Sequence, residues 1–331
     1  MKTSDPDRAA APAPAPQFIQ LYHEDADVIR AELVSGLTAA TPSLSPKFLY
    51  DALGSTLFEA ITQLPEYYPT RTEAAIFTQH LPAIAASVAA AIGGVGTLVD
   101  LGAGNCEKAA RLLPLLRPAR YVAVDISVDF LGDALARLQR AHPGLATCGI
   151  GMDFSQSLAL PADMVQGRPL FFYPGSSIGN FAPDDALRFL RELRAQSAGG
   201  GLLIGVDLVK PAALLEPAYD DALGVTAAFN LNLLLHLNRL LGSNFDPRGW
   251  RHVALYNAPA SRIEMHLEAR APLAVRWPGG ERRFAAGERI HTENSYKHTV
   301  PGFGALLSDA GFRTLQHWQD ERGWFAVFLA S

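Results

Sequence analysis

Short apolar runs alternate with helical patterns through the middle of the chain. Five runs predict buried strands, in the order TLVDL, RYVAVD, CGIGMD, PLFFY and GLLIGVD. Strands that alternate with helices in this way predict a parallel sheet with helices on both faces, which is a doubly wound, Rossmann-like α/β fold. The ligand of such a sheet binds at the carboxyl ends of the strands.

The C-terminal stretch from Gly302 continues this pattern. It predicts a helix that ends at Gly311, then a strand, a turn and a last apolar strand. We therefore assign residues 72–209 and 297–331 to one large α/β domain.

Two segments do not belong to this alternation, residues 17–71 and residues 210–296. An insert of the second length is too long for a loop and must carry its own structure. It contains an apolar helix that ends at Gly242, followed by patterns typical of antiparallel strands. We predict that the two segments form a second, smaller α+β substrate-binding domain, and that residues 1–16 form a disordered Ala/Pro tail.

Composition narrows the classes of partner. A hydrophobic share of 49% with 18% charged residues is ordinary for a globular protein, and a net charge of -5 disfavours nucleic acid or an anionic membrane as a partner. The longest apolar run, Leu81 to Val99, contains Pro82 and several glycines, which favours a helix, a turn and a strand over a membrane span. Cys106 and Cys148 cannot form a disulfide framework, and the histidine spacing indicates no metal site. We expect a cytoplasmic monomer.

The first predicted strand runs into a glycine turn and then a helix start. Gly102 and Gly104 let the backbone approach a ligand, and free N–H groups at a helix start favour polar or anionic groups. A dinucleotide-binding fingerprint would have a third glycine where this chain has Glu107, and that carboxylate counts against a pyrophosphate.

Acidic residues then follow the next two strands. Asp125 can hold two ribose hydroxyls, and Asp153 beside Phe154 fits an adenine. A glycine turn, a ribose acid and then an acid beside an aromatic is the order typical of S-adenosylmethionine-dependent methyltransferases. The alternative is that these aspartates are only helix caps.

Several motifs outside that common core make a closer resemblance. They are SPKFLYDALGSTLFEAITQLPEYYPTRTE, GAGNCEK, PGSSIGNF, AYDDALGVTAAFN, RIEMHL and TENSYK. Together they resemble the histidine-specific Nα-methyltransferases of ergothioneine biosynthesis, from about Ser45 to the C-terminus. The resemblance implies a class I methyltransferase sheet. It also implies an enzyme that uses three molecules of S-adenosylmethionine to convert free L-histidine to its betaine, hercynine.

The resemblance also implies roles for individual positions. The positions that match cofactor-binding residues are Gly102, Gly104, Lys108, Asp125, Asp153 and Phe154. The positions that match or border the substrate site are Tyr50, Tyr67, Gly175, Ser177, Asn180, Tyr219, Met265, Glu293, Asn294 and Ser295. Asn180 and Tyr50 are the candidates for catalysis. Small departures from the family pattern lie near the cofactor, at Ala103, Asn105, Cys106 and Ser177.

The polar stretch IHTENSYKH, from Ile290 to His298, then has an interpretation. A neutral imidazole needs one hydrogen-bond acceptor and one donor, and Glu293 with Ser295 can supply both. The alternative is that Glu293 pairs locally with Lys297. Two other functions stay open at this level: methylation of another amino acid such as tryptophan, and a non-catalytic module that binds the cofactor or an amino acid.

Overall fold

The computed structural model describes residues 16–21, 25–126, 128–155, 157–313 and 315–331. The predicted Ala/Pro tail lies outside the described residues except for Pro16. The strands are, in chain order, β1 (Gln17–Gln20), β2 (Thr97–Leu101), β3 (Arg120–Asp125), β4 (Ala146–Gly151), β5 (Pro169–Tyr173), β6 (Gly201–Asp207), β7 (Trp250–Asn257), β8 (Arg262–Ala269), β9 (Leu273–Trp277), β10 (Gly280–Phe284), β11 (Arg289–Tyr296), β12 (Leu315–Gln319) and β13 (Phe325–Ala330).

Helices separate most of these strands. They are α1 (Ala26–Thr38), α2 (Ala52–Thr62), α3 (Tyr68–Ile92), α4 (Glu107–Ala110), α5 (Leu113–Leu116), α6 (Val128–Ala141), α7 (Pro183–Gln196), α8 (Ala212–Leu215), α9 (Val225–Leu241) and α10 (Val300–Asp309). The helix predicted after the glycine turn is two short helices, α4 and α5. Pro114 lies near the start of α5, and proline is favoured at the first position of a helix.

The large sheet has eight strands in the order β1-β4-β3-β2-β5-β6-β13-β12. All pairs from β1 to β6 are parallel, and β13 is antiparallel to both of its neighbours. Two clusters of buried side chains cover the two faces of the sheet. The predicted doubly wound α/β class is therefore confirmed, and the parallel strands place their carboxyl ends at one edge.

Strand β1 is an addition to the predicted pattern. It pairs with β4 at the edge of the large sheet, with Phe18 opposite Gly149. Gly149 leaves room for the Phe18 ring, because a Cβ there would meet ring carbons at 2.7 Å. Residues 17–20 thus pack with the large sheet, whereas the predicted domain boundaries placed them with the second domain.

The remaining strands make a separate layer with α1, α2, α8 and α9. Strands β11, β8 and β7 form an antiparallel sheet in that order, and β9 pairs with β10. One cluster of buried side chains joins residues within 29–68 to residues within 215–290. Both leftover segments of the sequence therefore share a core, which supports the predicted substrate-binding domain; its boundaries stay a prediction.

Helix α3 is long and apolar enough to span a membrane by length and composition, and it is the one such helix among the described residues. It continues through Pro82 without a break. Its buried residues include Ile76, Ile84 and Val88, and the helix packs against β13 and β6 of the large sheet.

Candidate active site

The turn after β2 lies beside the end of β3. Gly102, Gly104 and Cys106 all have left-handed backbone angles, with φ of 67°, 51° and 62°. Asp125 Oδ2 accepts a hydrogen bond from the Gly104 N–H at 2.9 Å, which ties the turn to the neighbouring strand. No atom of the described residues lies within 4 Å of the point where a Cβ of Gly104 would sit. The turn is therefore held open at the carboxyl edge of the sheet.

Asp153 and Phe154 border the same edge. Asp153 Oδ1 accepts hydrogen bonds from the backbone N–H and the hydroxyl of Ser155. Its other oxygen lies 3.3 Å from the Lys47 ammonium, which also binds Glu32 at 2.8 Å. Lys47 comes from the second layer, so this ion pair connects the two layers at the edge where the cofactor is expected.

A buried carboxylate links the glycine turn to the loop after β5. Glu73 on α3 is 1% exposed; it accepts from the Gly175 N–H at 2.8 Å and from Lys108 Nζ at 2.7 Å. Glycine is required at position 205, because a Cβ there would lie 2.1 Å from Glu73 Oε1. Glu73 thus fixes Gly175 relative to the helix that begins after the turn.

This edge fits S-adenosylmethionine in its chemistry. The open glycine turn leaves space for a ligand against the backbone, and Asp125 offers a carboxylate for ribose hydroxyls. Phe154 offers an aromatic ring, itself supported edge-on by Tyr173 at 5.9 Å between centroids. Lys108, in the helix after the turn, and Asp125, at the end of β3, are the charged side chains that would hold such a molecule.

A cavity between the two layers collects most of the predicted substrate residues. Phe58, Thr226 and Phe229 line part of it. The predicted residues that line it are Tyr50, Tyr67, Gly175, Ser177, Asn180, Tyr219, Met265, Glu293 and Ser295. These come from the first segment, the loop after β5, the connection between α8 and α9, and the β8 and β11 strands. Residues that are far apart in the sequence therefore meet at one place.

Asn294 is the predicted substrate residue that the structure places elsewhere. Side chains alternate along β11, so Asn294 points away from the face that carries Glu293 and Ser295. It lines a neighbouring cavity with His291 and Ser45, and Asn180 and Glu293 border both cavities. Among the described residues, Asn294 Oδ1 has no hydrogen-bond partner.

Glu293 is the buried carboxylate of the substrate cavity. Asn180 Nδ2 donates to its Oε1 at 3.3 Å. Burial raises the pKa of Glu293 to about 7, although the Lys297 charge and the hydrogen bond from Asn180 oppose that rise. A buried carboxylate with a raised pKa is stabilised when a ligand donates an N–H hydrogen bond to it.

Two hydroxyls lie beside Glu293. Tyr219 Oη and Ser295 Oγ are 2.7 Å apart, and the carbonyl of Tyr219 accepts from His252 Nε2 at 2.8 Å. Lys297 Nζ donates to both hydroxyls and pairs with Asp207 at 2.9 Å. Among the described residues the ion pair of Lys297 is thus with Asp207, and the Lys297 charge acts on Glu293 without a direct ion pair.

Aromatic rings form the walls of the cavity. Tyr50 packs edge-on against Phe229 at 5.5 Å between centroids, and Tyr67 against Tyr219 at 6.1 Å. Burial raises the pKa of Tyr50, Tyr67 and Tyr219 well above the ordinary value, so these phenols keep their protons at neutral pH. The walls therefore offer neutral hydroxyls and ring faces.

Comparison with known proteins decides the family. Residues 29–331 match the model of a family described as "Histidine-specific methyltransferase, SAM-dependent". The histidine N-alpha-methyltransferase of Mycolicibacterium smegmatis is 42% identical over 312 residues, which cover 92% of this chain and 95% of that protein. The chain belongs to this family. Its cofactor is S-adenosylmethionine, and the protein is a methyltransferase.

More distant similarities exist. Ergothioneine biosynthesis protein 1 of Neurospora crassa is 31% identical over 283 residues, which cover 82% of this chain and 31% of that protein. A solved S-adenosylmethionine-dependent methyltransferase from Clostridium acetobutylicum has a TM-score of 0.44 and 14% identity, over 76% of this chain and 91% of that one.

Among the residues of this methyltransferase site that were not predicted, three are charged. They are Lys47, Glu73 and Lys297, and each is a charged side chain that is mostly buried. All three lie inside the motifs that carry the family resemblance, at SPKF, TRTE and NSYK. The signal in the sequence was a charged residue within a motif that apolar residues flank. The partner of each charge is distant in the sequence, so the pairing could not be predicted.

Proposed function

We propose that this methyltransferase acts on the α-amino group of free L-histidine. The observation that carries the proposal is that Glu293 and Ser295 line one cavity with aromatic walls, next to the cofactor edge. A buried carboxylate is costly unless a donor reaches it, and a ring N–H of histidine is such a donor. Ser295 then supplies the hydroxyl that the second ring nitrogen needs.

The loop after β5 is suited to hold the reacting amine. Gly175 is tied through Glu73 to Lys108, which lies next to the glycine turn, and Asn180 follows it in a short 3₁₀ turn. We assign the amine to Gly175 and Asn180, and the substrate carboxylate to Tyr67, Asn180 and Tyr219. Positioning of this kind supplies a large share of the rate when two reactants must be held in line.

Tyr50 completes the proposed catalytic set. When bound, S-adenosylmethionine supplies an electrophilic methyl group, and the amine must meet it without its proton. Burial keeps Tyr50 in its neutral form. A neutral phenol can hydrogen-bond to an unprotonated amine without stabilising the ammonium as a phenolate would.

We further propose three successive transfers, which give hercynine for ergothioneine biosynthesis. The walls formed by Tyr50, Tyr67 and Phe229 can accept a quaternary ammonium through cation–π contacts, worth roughly 0.5–2 kcal/mol. The similarity to the fungal ergothioneine biosynthesis protein supports the pathway.

The surroundings of the enzyme are also proposals. The net charge of -5 supports a small-molecule substrate over nucleic acid or an anionic membrane. Cys106 and Cys148 are both buried and free, which supports a reducing cytoplasm. We propose that the protein works there as a monomer.

One incubation tests the activity. Purified protein is mixed with S-adenosylmethionine and an equimolar set of amino acids that includes histidine and tryptophan, and the products are measured by mass spectrometry. We expect histidine alone to gain the mass of one, two and finally three methyl groups. A gain on tryptophan in its place would support the alternative substrate, and no gain on any amino acid would support a binding module.

A further inference from the structure

Lys297 lies directly after β11, behind the hydroxyls of the substrate cavity. Its side chain is 0% exposed, and its ammonium makes three contacts: Asp207 Oδ2 at 2.9 Å, Tyr219 Oη at 2.9 Å and Ser295 Oγ at 2.8 Å. An ammonium has three N–H donors and no acceptor. All three donors therefore have partners, and the position of the charge is fixed.

This arrangement decides what the two hydroxyls can do. Tyr219 and Ser295 each accept from Lys297, so each has a lone pair occupied on the side away from the cavity. Each hydroxyl has only one hydrogen to give, and the 2.7 Å contact between them uses one of the two. The other hydrogen can point into the cavity, which both residues line, and the first can do so as well when the two hydroxyls bind a ligand instead of each other.

We propose that Lys297 is a positioning residue that makes Tyr219 and Ser295 hydrogen-bond donors toward the substrate. The inference rests on the proposed function, because it assigns these donors to the carboxylate and the imidazole of histidine. With Glu293 as the acceptor, the cavity then presents one acceptor and one donor to the ring. That pattern matches a neutral imidazole in a single tautomer.

Asp207 holds Lys297 in place and supplies a matched control. Its carboxylate pairs with Lys297 through one oxygen and with Lys210 through the other, at 2.6 Å, and all three side chains are buried. Lys210 donates to Tyr68 Oη and to the carbonyl of Leu208. Two buried lysines therefore share one carboxylate, but of the two only Lys297 contacts the cavity hydroxyls Tyr219 and Ser295.

The main experiment compares Lys297→Met with Lys210→Met in the full chain. Each variant leaves Asp207 with one lysine, so similar losses of thermal stability are expected. We expect Lys297→Met to raise KM for histidine, and its Kd by calorimetry, by roughly tenfold or more, with a smaller change in kcat. Lys210→Met should keep KM within about twofold, because the hydroxyls keep their donor. Equal rises in KM for both variants would overturn the inference.

A double-variant cycle tests whether Lys297 acts through Ser295. Ser295→Ala alone should raise KM for histidine, and adding Lys297→Met should raise it by much less than Lys297→Met does in the wild type. Additive effects would show that Lys297 acts by another route. Lys297→Gln keeps neutral hydrogen-bond donors, so its KM for histidine should lie between those of wild type and Lys297→Met. It replaces Lys297→Met in the comparison if the methionine variant does not fold.

The outcomes separate this inference from the proposed function. If the wild type binds and methylates histidine but Lys297→Met and Lys297→Gln keep the wild-type KM, only the role of Lys297 is wrong. If the wild type neither binds nor methylates histidine, the proposed function itself is wrong.

Discussion

The cofactor edge and the substrate cavity adjoin each other but differ in construction. At the cofactor edge the residues follow one another in the chain: the turn at Gly102 and Gly104, then Asp125, then Asp153, each after a strand of one parallel sheet. The substrate cavity takes residues from segments more than 200 positions apart, such as Tyr67 and Glu293. Its Glu293 and Ser295 are also buried, whereas the cofactor turn is open.

The difference shows which structural feature cofactor binding and amino-acid binding each depend on. Parallel strands must end at one edge, so a cofactor site follows from the sheet itself. A buried polar cavity depends on partners across two layers, such as Asn180 with Glu293 and Lys297 with Asp207. Cofactor binding should therefore tolerate changes in the cavity, while recognition of the amino acid should not.

The largest effect is expected at Asn180, where the two regions meet. Asn180→Ala should lower kcat and raise KM together, with kcat/KM for histidine falling on the order of 100-fold, because misplacing the amine costs alignment as well as binding. Steady-state kinetics with histidine give the measurement. Asn294→Ala is the control and should lower kcat/KM much less, since that side chain lines the neighbouring cavity. Wild-type kinetics for Asn180→Ala would remove Asn180 from the site.

A change at Asp125 should weaken cofactor binding and leave histidine binding nearly unchanged. Asp125→Ala should weaken the binding of S-adenosylmethionine by about 1.5–3 kcal/mol, because a charged acceptor for the ribose hydroxyls is lost. Calorimetry with the cofactor and, separately, with histidine measures both sites. Histidine affinity should change little. Loss of histidine binding with intact cofactor binding would contradict the assignment of Asp125.

Glu293 should decide which amino acid enters the cavity. Glu293→Ala should reduce specificity for histidine by about 1–3 kcal/mol, since a site built around a hydrogen bond rejects analogues that lack the donor. The same change should narrow the gap to phenylalanine, tyrosine and tryptophan. Competition assays in wild type and variant measure the ratio. An unchanged preference for histidine would show that Glu293 does not contact the ring.

The smallest effect concerns stability without ligands. The pKa of Glu293 is raised from 4.5 to about 7 in the folded chain, so the folded state holds this proton more tightly than the unfolded state. Its contribution to stability is complete below about pH 4.5 and is lost as the pH rises through about 7. Between pH 6 and pH 8, wild type should lose about 1–2 kcal/mol more of its unfolding free energy than Glu293→Gln.

Urea unfolding of both proteins at the two pH values measures that difference. The pKa of Asp100 is also raised to about 7 by burial, and it should contribute equally to both proteins. The comparison therefore isolates Glu293. Parallel pH profiles for the two proteins would mean that Glu293 is ionised throughout.

The fold was largely predictable because its signals are local. Five strand patterns, the glycine turn and the cap at Gly311 each depend on neighbouring residues, and they predicted the order of β2 to β6 and the last strand pair. Strand β1 was not predicted, because four residues without a strong apolar pattern join the sheet only through pairing with β4. The two short helices after the turn were likewise read as one helix.

The sequence by itself predicted the family and the strands β2 to β6, β12 and β13 of the large sheet, because contiguous motifs carry each of these signals. Tertiary structure decided which charges are paired. Lys297 is four residues from Glu293 in the chain, yet its partner is Asp207, 90 positions away, because the backbone just after β11 pairs with the chain at the end of β6, where the His298 N–H donates to the Asp207 carbonyl. Side-chain alternation on β11 likewise separates Asn294 from Glu293 and Ser295. A buried charge is stabilised by whichever partner packing brings within a few ångströms, and spacing along the chain does not reveal that partner.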